Sequence, residues 1–374
     1  MSANAARLVI LGSSLTGLAV ARDAHALGLR AAVIDTDFGI GLRSRCAEPM
    51  LMPARTSQED ILQRVLSAAT PRDYLIATSD FWLRFSVANR AVLDQAFRKV
   101  LIPSNATIET CLDKAKFGKW CREQQLSAPC TWSVDEEPRP TELKPPMLIR
   151  PAKTLHGAAA ARLPKAVEVH TETELSEWLA RFAAEKCAAL VSESLLGQSL
   201  IQFSAPFART PEALSLFTAK KVRPAPKHCS VGSYVELVAN RDVEELARRA
   251  VVALDYYGVG EAEILYSETT GRLYLIEINA RPWMQYALAP ASGHDFLGLL
   301  IGQPRAMRPV RQGHRWIDFE SDLYNAMSGS VGEVRLGETS LFGYLRSLAL
   351  ANVYARFSWR DPVPALHSRL PTGR

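Results

Sequence analysis

The chain has 374 residues, of which 48% are apolar and 22% charged, and its net charge is +5. This length is typical of two or three globular domains, and the composition excludes a collagen-like, disordered or small disulfide-rich protein. No run of about 18 apolar residues predicts a membrane span, and the first residues lack the apolar core of a signal peptide. The six cysteines have no C-x-x-C spacing. We therefore expect a cytoplasmic protein without structural zinc, disulfides, a membrane or a nucleic-acid partner.

The N-terminal stretch predicts a βαβ unit. An apolar strand at residues 8–11 leads into a turn at 12–17, an alanine-rich helix and a second apolar strand at 31–34. Near-continuous apolar strands are typical of a buried parallel sheet. A dinucleotide fingerprint needs glycine at the position of Ser14, so that the backbone can approach a pyrophosphate. We therefore predict a Rossmann-like scaffold that binds no dinucleotide. An NAD-dependent oxidoreductase is the alternative, and it depends on this turn alone.

A basic strand is predicted in the second half of the chain, at residues 215–223. Side chains alternate along a strand, so Lys221 and Arg223 are expected on one face and Lys220 on the other. Two cations directed into a cleft can bind a phosphate and a carboxylate. The alternative interpretation is an exposed basic edge strand.

The most informative stretch is a predicted hairpin at residues 260–282. Two runs rich in Ile, Leu and Tyr flank a polar turn that contains glycine. Symmetry about Thr270 pairs Glu263 with Glu277 and places both on one face together with Asn279. The apolar residues expected on the opposite face are Ile264, Tyr266, Tyr274, Ile276 and Ile278.

The paired carboxylates of this hairpin predict a metal site. Like charges opposite each other on two strands repel. A hard cation between them removes the repulsion, because Mg²⁺ takes oxygen ligands from one or two carboxylates and completes its shell with water and phosphate. We predict Glu263 and Glu277 as ligands of Mg²⁺, with Mn²⁺ as the alternative metal, and Asn279 shares their face. Arg281 lies on the same side, where it can contact a phosphate, whereas Glu261 is expected to tolerate substitution. An exposed acidic face of an edge hairpin is the alternative.

Glu263, followed by Glu-Ile-Asn-Ala-Arg at 277–281, resembles the metal-binding signature of the ATP-grasp superfamily. The signature implies that Glu263, Glu277 and Asn279 hold Mg²⁺ on the ATP phosphates, with Arg281 beside the transferring phosphoryl group. The resemblance covers about residues 7–303. It implies an α/β fold in which a Rossmann-like N-terminal domain precedes a two-lobed ATP-grasp nucleotide-binding module. The division that we expect is 1–108 for the Rossmann-like domain, 109–190 for the small lobe, 191–330 for the large lobe with the metal site, and 331–374 for a tail that packs on the core.

The resemblance also implies which residues bind ATP. Two lysines are expected to reach the phosphates, and the connection between the lobes is expected to bind adenine through its backbone. A glutamine there replaces the carboxylate that often holds the ribose. The implied ATP-binding residues are Lys114, Lys153, Glu193, Leu195, Leu196 and Gln198. The loop at 154–161 departs from the family, because it has one glycine where the family's loop is glycine-rich. Asp80 is expected near the junction of the first domain with the nucleotide-binding part.

The implied reaction is ATP-dependent ligation. A substrate carboxylate is phosphorylated to an acyl phosphate with release of ADP, and an amine then displaces the phosphate. Arg281, Lys221 and Arg223 are the expected catalytic residues, since phosphoryl transfer depends on positioning and electrostatics. Trp283 and Gln285 follow the metal strand and are candidates for the second substrate's pocket.

The expected partners are small-molecule carboxylates and amines, and a homodimer is compatible with the resemblance. One alternative is a bicarbonate-using carboxylase of the same superfamily. The other is a non-catalytic ATP-binding protein, which would be expected to lose metal ligands.

Overall fold

We describe the protein from a computed structural model. The structure describes residues 6–134, 138–152, 162–225, 231–306, 313–327 and 340–366. Three β-sheets follow one another along these residues, one of them parallel throughout. The predicted α/β fold is therefore confirmed. No helix in these ranges combines the length and apolar character needed to cross a membrane.

The first sheet belongs to the Rossmann-like domain. Its strands are β1 (Arg7–Leu11), β2 (Arg30–Asp35), β3 (Glu48–Leu51), β4 (Tyr74–Ala77) and β5 (Lys99–Val100), parallel in the order β3-β2-β1-β4-β5. The helices are α1 (Leu15–Ala26), α2 (Gln58–Ser67), α3 (Asp80–Ala88) and α4 (Arg90–Ala96), with a 3₁₀ turn at Ile40–Arg43. Strands β1 and β4 are buried along almost their whole length, as expected for a parallel sheet covered on both faces.

Two helices and a small antiparallel sheet come next. The helices are α5 (Asn105–Leu112) and α6 (Lys114–Glu123). The sheet contains β6 (Thr131–Ser133), β7 (Met147–Pro151), β8 (Val167–Val169) and β9 (Ala189–Glu193) in the order β6-β9-β7-β8. Helix α7 (Glu172–Ala184) covers one face of the sheet with Leu175 and Phe182, which pack on Met147 and Ile149. Leu148 and Arg150 lie on the other face of β7.

The largest sheet forms the rest of the fold. Its strands are β10 (Leu200–Arg209), β11 (Leu214–Leu216), β12 (Ala219–Ala225), β13 (Val231–Leu237), β14 (Gly258–Ser267), β15 (Arg272–Asn279), β16 (Arg315–Ile317) and β17 (Val353–Tyr354). The order is β15-β14-β10-β12-β13-β16-β17, with β11 on β10. The helices are α8 (Arg241–Ala253), α9 (Leu288–Ala291), α10 (Phe296–Ile301), α11 (Phe319–Met327), α12 (Leu341–Leu350) and α13 (Val363–Leu366). The four-part division of the chain stays a prediction.

Buried ion pairs connect the first domain to later parts of the chain. Asp23 on α1 is 3% exposed, accepts a hydrogen bond from the Tyr286 hydroxyl at 2.8 Å and pairs with Arg305 at 2.7 Å. Asp361, which is fully buried, accepts from Arg22 Nε at 2.9 Å and from Ser44 Oγ at 2.7 Å. Because an unpaired buried charge is costly, these contacts hold α1 against the segment that follows β15.

Candidate active site

The hairpin β14–β15 pairs Glu263 with Glu277, as predicted. Near the turn, however, Ser267 pairs with Arg272, so the hairpin is not symmetric about Thr270. A β-bulge restores the pairing of the glutamates by leaving Ile276 without a partner on β14. Two residues predicted for the apolar face are consequently displaced. Leu275, not Ile276, packs in the core, and Tyr274 lies on the face of the glutamates.

Glu263 is the centre of a hydrogen-bonded cluster. Its carboxylate accepts from Lys221 Nζ at 2.9 Å, from Gln202 Nε2 at 2.9 Å and from Asn279 Nδ2 at 3.2 Å. Burial alone lowers the pKa of Lys221, but the charges of Glu261, Glu263 and Glu277 outweigh it and raise that pKa. Lys221 therefore remains an ammonium group inside an acidic cluster, and its predicted contact with substrate stays a prediction.

Glu261 is a member of this cluster that we had expected to tolerate substitution. Strand alternation puts it on the same face as Glu263, opposite Asn279, whose Nδ2 donates to it at 3.0 Å. Ser204 Oγ donates to its other oxygen. Glu261 is 3% exposed, and burial raises its pKa to about 7, although Lys221 opposes the rise. A residue so buried and bonded is not a tolerant surface position, and period-two alternation could have placed it on the face of Glu263.

The hairpin carboxylates fit a hard cation. Burial and the facing Glu263 raise the pKa of Glu277, while Lys114 and Lys221 lower it. The lysines leave part of the negative charge of the carboxylates uncompensated, and a divalent cation would balance it. No three His, Cys, Asp or Glu side chains converge as ligands among the residues described here. A cation would thus be held by Glu263 and Glu277, with Asn279 and non-protein oxygens completing its shell.

Arg281 lies beside the cluster and meets the first domain. Its Nε contacts Asp80 Oδ1 at 2.6 Å. Asp80 is the first residue of α3, so it stands at the junction where the resemblance implied it. A cavity of about 340 Å³ extends from here. Its wall comprises the hairpin glutamates and Lys221, the first turn of α1, and a segment after β15 that contains the predicted Trp283 and Gln285.

The expected phosphate lysines are only partly described. Lys114 opens α6, with its side chain exposed at the helix end. Partial shielding from water lowers the pKa of Lys114, nearby Arg150 lowers it further, and Glu277 raises it. Lys114 therefore lies near Glu277 of the hairpin on one side and near Arg150 on the other. Sequence reasoning missed Arg150, although the alternation of β7 puts it opposite the core residues Met147 and Ile149. Lys153 lies outside the described residues.

The connection expected to bind adenine joins the small antiparallel sheet to the largest sheet. It runs from the end of β9 to the start of β10 and includes Leu195 and Leu196. Glu193 accepts a hydrogen bond from the Tyr274 hydroxyl at 3.2 Å, which connects this segment to β15. Gln198 Oε1 accepts from Ser267 Oγ at 2.6 Å. These residues therefore lie where the lobes meet, and their contacts with a nucleotide stay a prediction.

Arg223 is not in the cleft. A register shift lies between Lys221, which pairs with Val235, and Arg223, which pairs with Tyr234. Arg223 thus points to the opposite face, where Nε and Nη2 each donate to Asp322 at 2.8 Å. Its guanidinium also lies 4.0 Å from the Tyr234 ring centre. Because this cation is already paired and buried, we do not retain Arg223 as a catalytic residue.

The turn after β1 makes its hydrogen bonds within the protein. Asp35 accepts from Ser13 N at 2.6 Å and Ser13 Oγ at 2.7 Å, and Gly41 N donates to Ser13 O at 2.7 Å. A side chain at Gly12, where φ is +111°, would lie 2.4 Å from Thr78 Oγ1. In a dinucleotide site the acid after the second strand binds the ribose. Here Asp35 is engaged by the turn, which supports the prediction that no dinucleotide binds.

Comparison with solved structures identifies the fold. N5-carboxyaminoimidazole synthetase from Staphylococcus aureus, solved with ADP, is similar at a TM-score of 0.62 and 14% identity, over 83% of this chain and 80% of that one. Biotin carboxylase from Campylobacter jejuni gives 0.62 and 14%, over 83% and 74%. L-amino acid ligase from Bacillus licheniformis gives 0.58 and 16%, over 83% and 78%.

These three are ATP-grasp enzymes. The chain therefore has the ATP-grasp fold, and the fold that the hairpin motif implied is confirmed. No family model matches the sequence, and no curated protein matches it.

Proposed function

We propose that the protein is an ATP-dependent ligase that activates a carboxylate as an acyl phosphate and joins it to an amine. The observation that carries this proposal is the cavity on the ATP-grasp fold. Paired carboxylates, a buried ammonium and a guanidinium meet there, contributed by Glu263, Glu277, Lys221 and Arg281. This combination suits the transfer of a highly charged group between two substrates.

The chemistry would proceed in two displacements. A carboxylate oxygen attacks the γ-phosphorus of ATP, the bond to the β-phosphate oxygen breaks, and ADP leaves. The amine nitrogen then attacks the acyl carbon, a proton leaves the nitrogen, and phosphate departs with the former carboxylate oxygen. A Mg²⁺ or Mn²⁺ ion on Glu263, Glu277 and Asn279 would neutralise phosphate charge.

The remaining residues would bind and orient the reactants. We assign Lys114, with Arg150 beside it, to the ATP phosphates, and Arg281 to the transferring group. The assignment of Lys153 to the phosphates stays a prediction from the resemblance. So does the binding of adenine and ribose near Glu193, Leu195, Leu196 and Gln198.

A carboxylase that uses bicarbonate is the second candidate. Two of the similar structures are a biotin carboxylase and a synthetase whose product name carries a carboxy group. Such an enzyme shares the activation step, because bicarbonate is then the acid that takes the phosphoryl group. A non-catalytic nucleotide binder is less well supported, since the chain keeps both carboxylates and the asparagine of the metal hairpin.

The test is a screen of acids with Mg·ATP and hydroxylamine as a neutral amine. Amino acids, other small acids and bicarbonate are each supplied with ¹⁸O in the carboxylate. We expect the correct acid to yield ADP, its hydroxamate and phosphate that contains one ¹⁸O atom. ADP release with bicarbonate alone, with N-hydroxycarbamate as the trapped product, would favour the carboxylase. AMP and pyrophosphate as products would refute the acyl-phosphate mechanism.

A pair of variants ties this activity to the hairpin. Glu277→Ala should lose Mg²⁺-dependent ADP release, because a partner in cation binding and phosphate neutralisation is gone. Glu123→Ala, at the exposed end of α6, is the matched control and should keep it. Circular dichroism should show both variants folded. Full turnover by Glu277→Ala would contradict the site.

A further inference from the structure

One wall of the cavity carries hydrogen-bond donors that the nucleotide and metal residues do not use. Helix α1 has 12 residues and begins after Ser14, whose side chain does not cap it. The first helical bond runs from Leu18 N to Ser14 O at 3.0 Å. The N–H groups of Leu15, Thr16 and Gly17 precede that bond, and no acceptor reaches them from the described part of the chain. Helix starts with such unpaired donors attract anions.

The Thr16 side chain at the same place provides a second, independent observation. Thr16 is 5% exposed and lines the cavity together with Ser14 and Leu15. Its hydroxyl makes no hydrogen bond with any residue in the described ranges. The hydroxyl oxygen keeps some accessible surface, and because Thr16 lines the cavity, a ligand or water there can pair with it. We call the N–H groups of Leu15 and Thr16 and the Thr16 hydroxyl the α1 donor set.

Gln285 contributes a hydrogen-bond acceptor to this cavity. It is 3% exposed, and its Nε2 donates to Gly232 O at 2.8 Å. A backbone carbonyl can only accept, so this bond fixes the amide orientation and leaves Oε1 as the group available to the cavity. Among the described residues no donor reaches Oε1. A ligand with an N–H group would satisfy it.

The two cations of the cavity each contact a carboxylate, and we have assigned Arg281 to the transferring phosphoryl group. Lys221 pairs with Glu263, and Arg281 pairs with Asp80. A further anionic group would therefore be bound by the α1 donor set, which comes from the first domain and not from the acidic hairpin. Helix α1 is held in place by the buried contacts of Asp23 with Tyr286 and Arg305. Because α1 is fixed before the ligand arrives, little ordering cost opposes binding.

We propose that the α1 donor set binds an anionic group on the amine substrate, whose nitrogen donates to Gln285 Oε1. The amine substrate is accordingly an amino acid, not a simple amine. This inference rests on the proposed function for the role of the ligand as the amine. The binding itself can be measured without turnover, so the two can fail separately.

The experiment is isothermal titration in the presence of Mg·ADP. The probes are the twenty common amino acids, each paired with the amine that lacks its carboxylate, such as alanine with ethylamine. At least one amino acid should bind about tenfold or more tightly than its paired amine, which is the scale of one hydrogen bond to a charged group. Equal binding within every pair would overturn the proposal.

Variants at the start of α1 locate the site. Leu15→Pro removes one N–H at the first helical position, where proline is tolerated, and Ser14 already has the extended backbone (φ −66°, ψ −175°) that precedes proline. Leu15→Ala is the matched control that loses the side chain and keeps the N–H. Leu15→Pro and Thr16→Val should each weaken binding about tenfold relative to Leu15→Ala. If Leu15→Pro and Leu15→Ala bind the amino acid equally tightly, the start of α1 is not part of the site.

A last probe identifies the anionic group. If 2-aminoethyl phosphate binds more tightly than every amino acid and depends on Leu15 N–H, the anionic site stands but the assignment to amino acids is overturned. Hydroxylamine carries no anionic group, so the hydroxamate screen tests ligation separately. Hydroxamate formation together with equal binding of each amino acid and its paired amine would reject this inference alone. Amino-acid binding without any hydroxamate would reject the ligase instead.

Discussion

Glu261→Gln should make the protein more resistant to unfolding at alkaline pH. Burial raises the pKa of Glu261 from 4.5 to about 7. In the unfolded chain the carboxyl ionises near the lower value, so between these two pH values the folded state holds more protons. The contribution of this bound proton to the free energy of unfolding is fully present below about pH 4.5. It is lost as the pH rises through about 7.

The size of the effect follows from the same shift. One pKa unit corresponds to about 1.4 kcal/mol, so an ionised Glu261 costs roughly 3 kcal/mol once the pH is well above 7. Glutamine has no charge to desolvate. It can keep both contacts, since its oxygen can accept from Asn279 and its amide nitrogen can donate to the Ser204 hydroxyl. Between pH 5 and pH 8, wild type should therefore lose about 2–3 kcal/mol more than Glu261→Gln.

The assay is urea unfolding at both pH values, followed by circular dichroism. EDTA is included because a bound cation would neutralise the carboxylates. Glu123→Gln, which removes an exposed carboxylate, should follow wild type within about 0.5 kcal/mol. If wild type and Glu261→Gln lose the same stability, Glu261 does not hold a proton in the folded protein, and our account of the acidic cluster is wrong.

Two further predictions concern positions where sequence and structure can be compared directly. Arg223→Met should destabilise the protein by about 3–5 kcal/mol in urea, because Asp322 is left buried without its partner, while Mg·ATP binding persists in titration. If the variant stays stable but loses turnover, Arg223 acts in the cleft and our reassignment is wrong. Titration with NAD or NADP should give no heat of binding under conditions where Mg·ATP binds, because Asp35 is engaged by Ser13. Tight NAD binding would contradict our account of the turn.

Much of the site could be predicted from local sequence. Turn chemistry and two-residue alternation predicted the hairpin and the pairing of Glu263 with Glu277. The apolar strands and the position of Ser14 predicted a Rossmann-like unit without a dinucleotide fingerprint. These features depend on neighbouring residues, because strand faces and hairpin turns follow from short-range backbone geometry.

The register shifts in β12 and in the β14–β15 hairpin could not be predicted from two-residue alternation. A single extra residue reverses the face of every side chain that follows it, so strict alternation misassigned both Arg223 and Tyr274. Alternation itself would have included Glu261 in the cluster, but its burial and its raised pKa depend on Lys221 and Ser204, which lie on other strands.

The tertiary structure decided which segments share the cavity. Nothing near Thr16 in the sequence indicates that it faces the same space as Gln285, because the two are separated by most of the chain. Their proximity depends on the buried contacts that Asp23 makes with Tyr286 and Arg305. The sequence by itself thus determined the hairpin with its paired glutamates and the fold class. Long-range burial and pairing of charges decided which groups are left open to a substrate, since only the packed domains can leave a donor or acceptor without an internal partner.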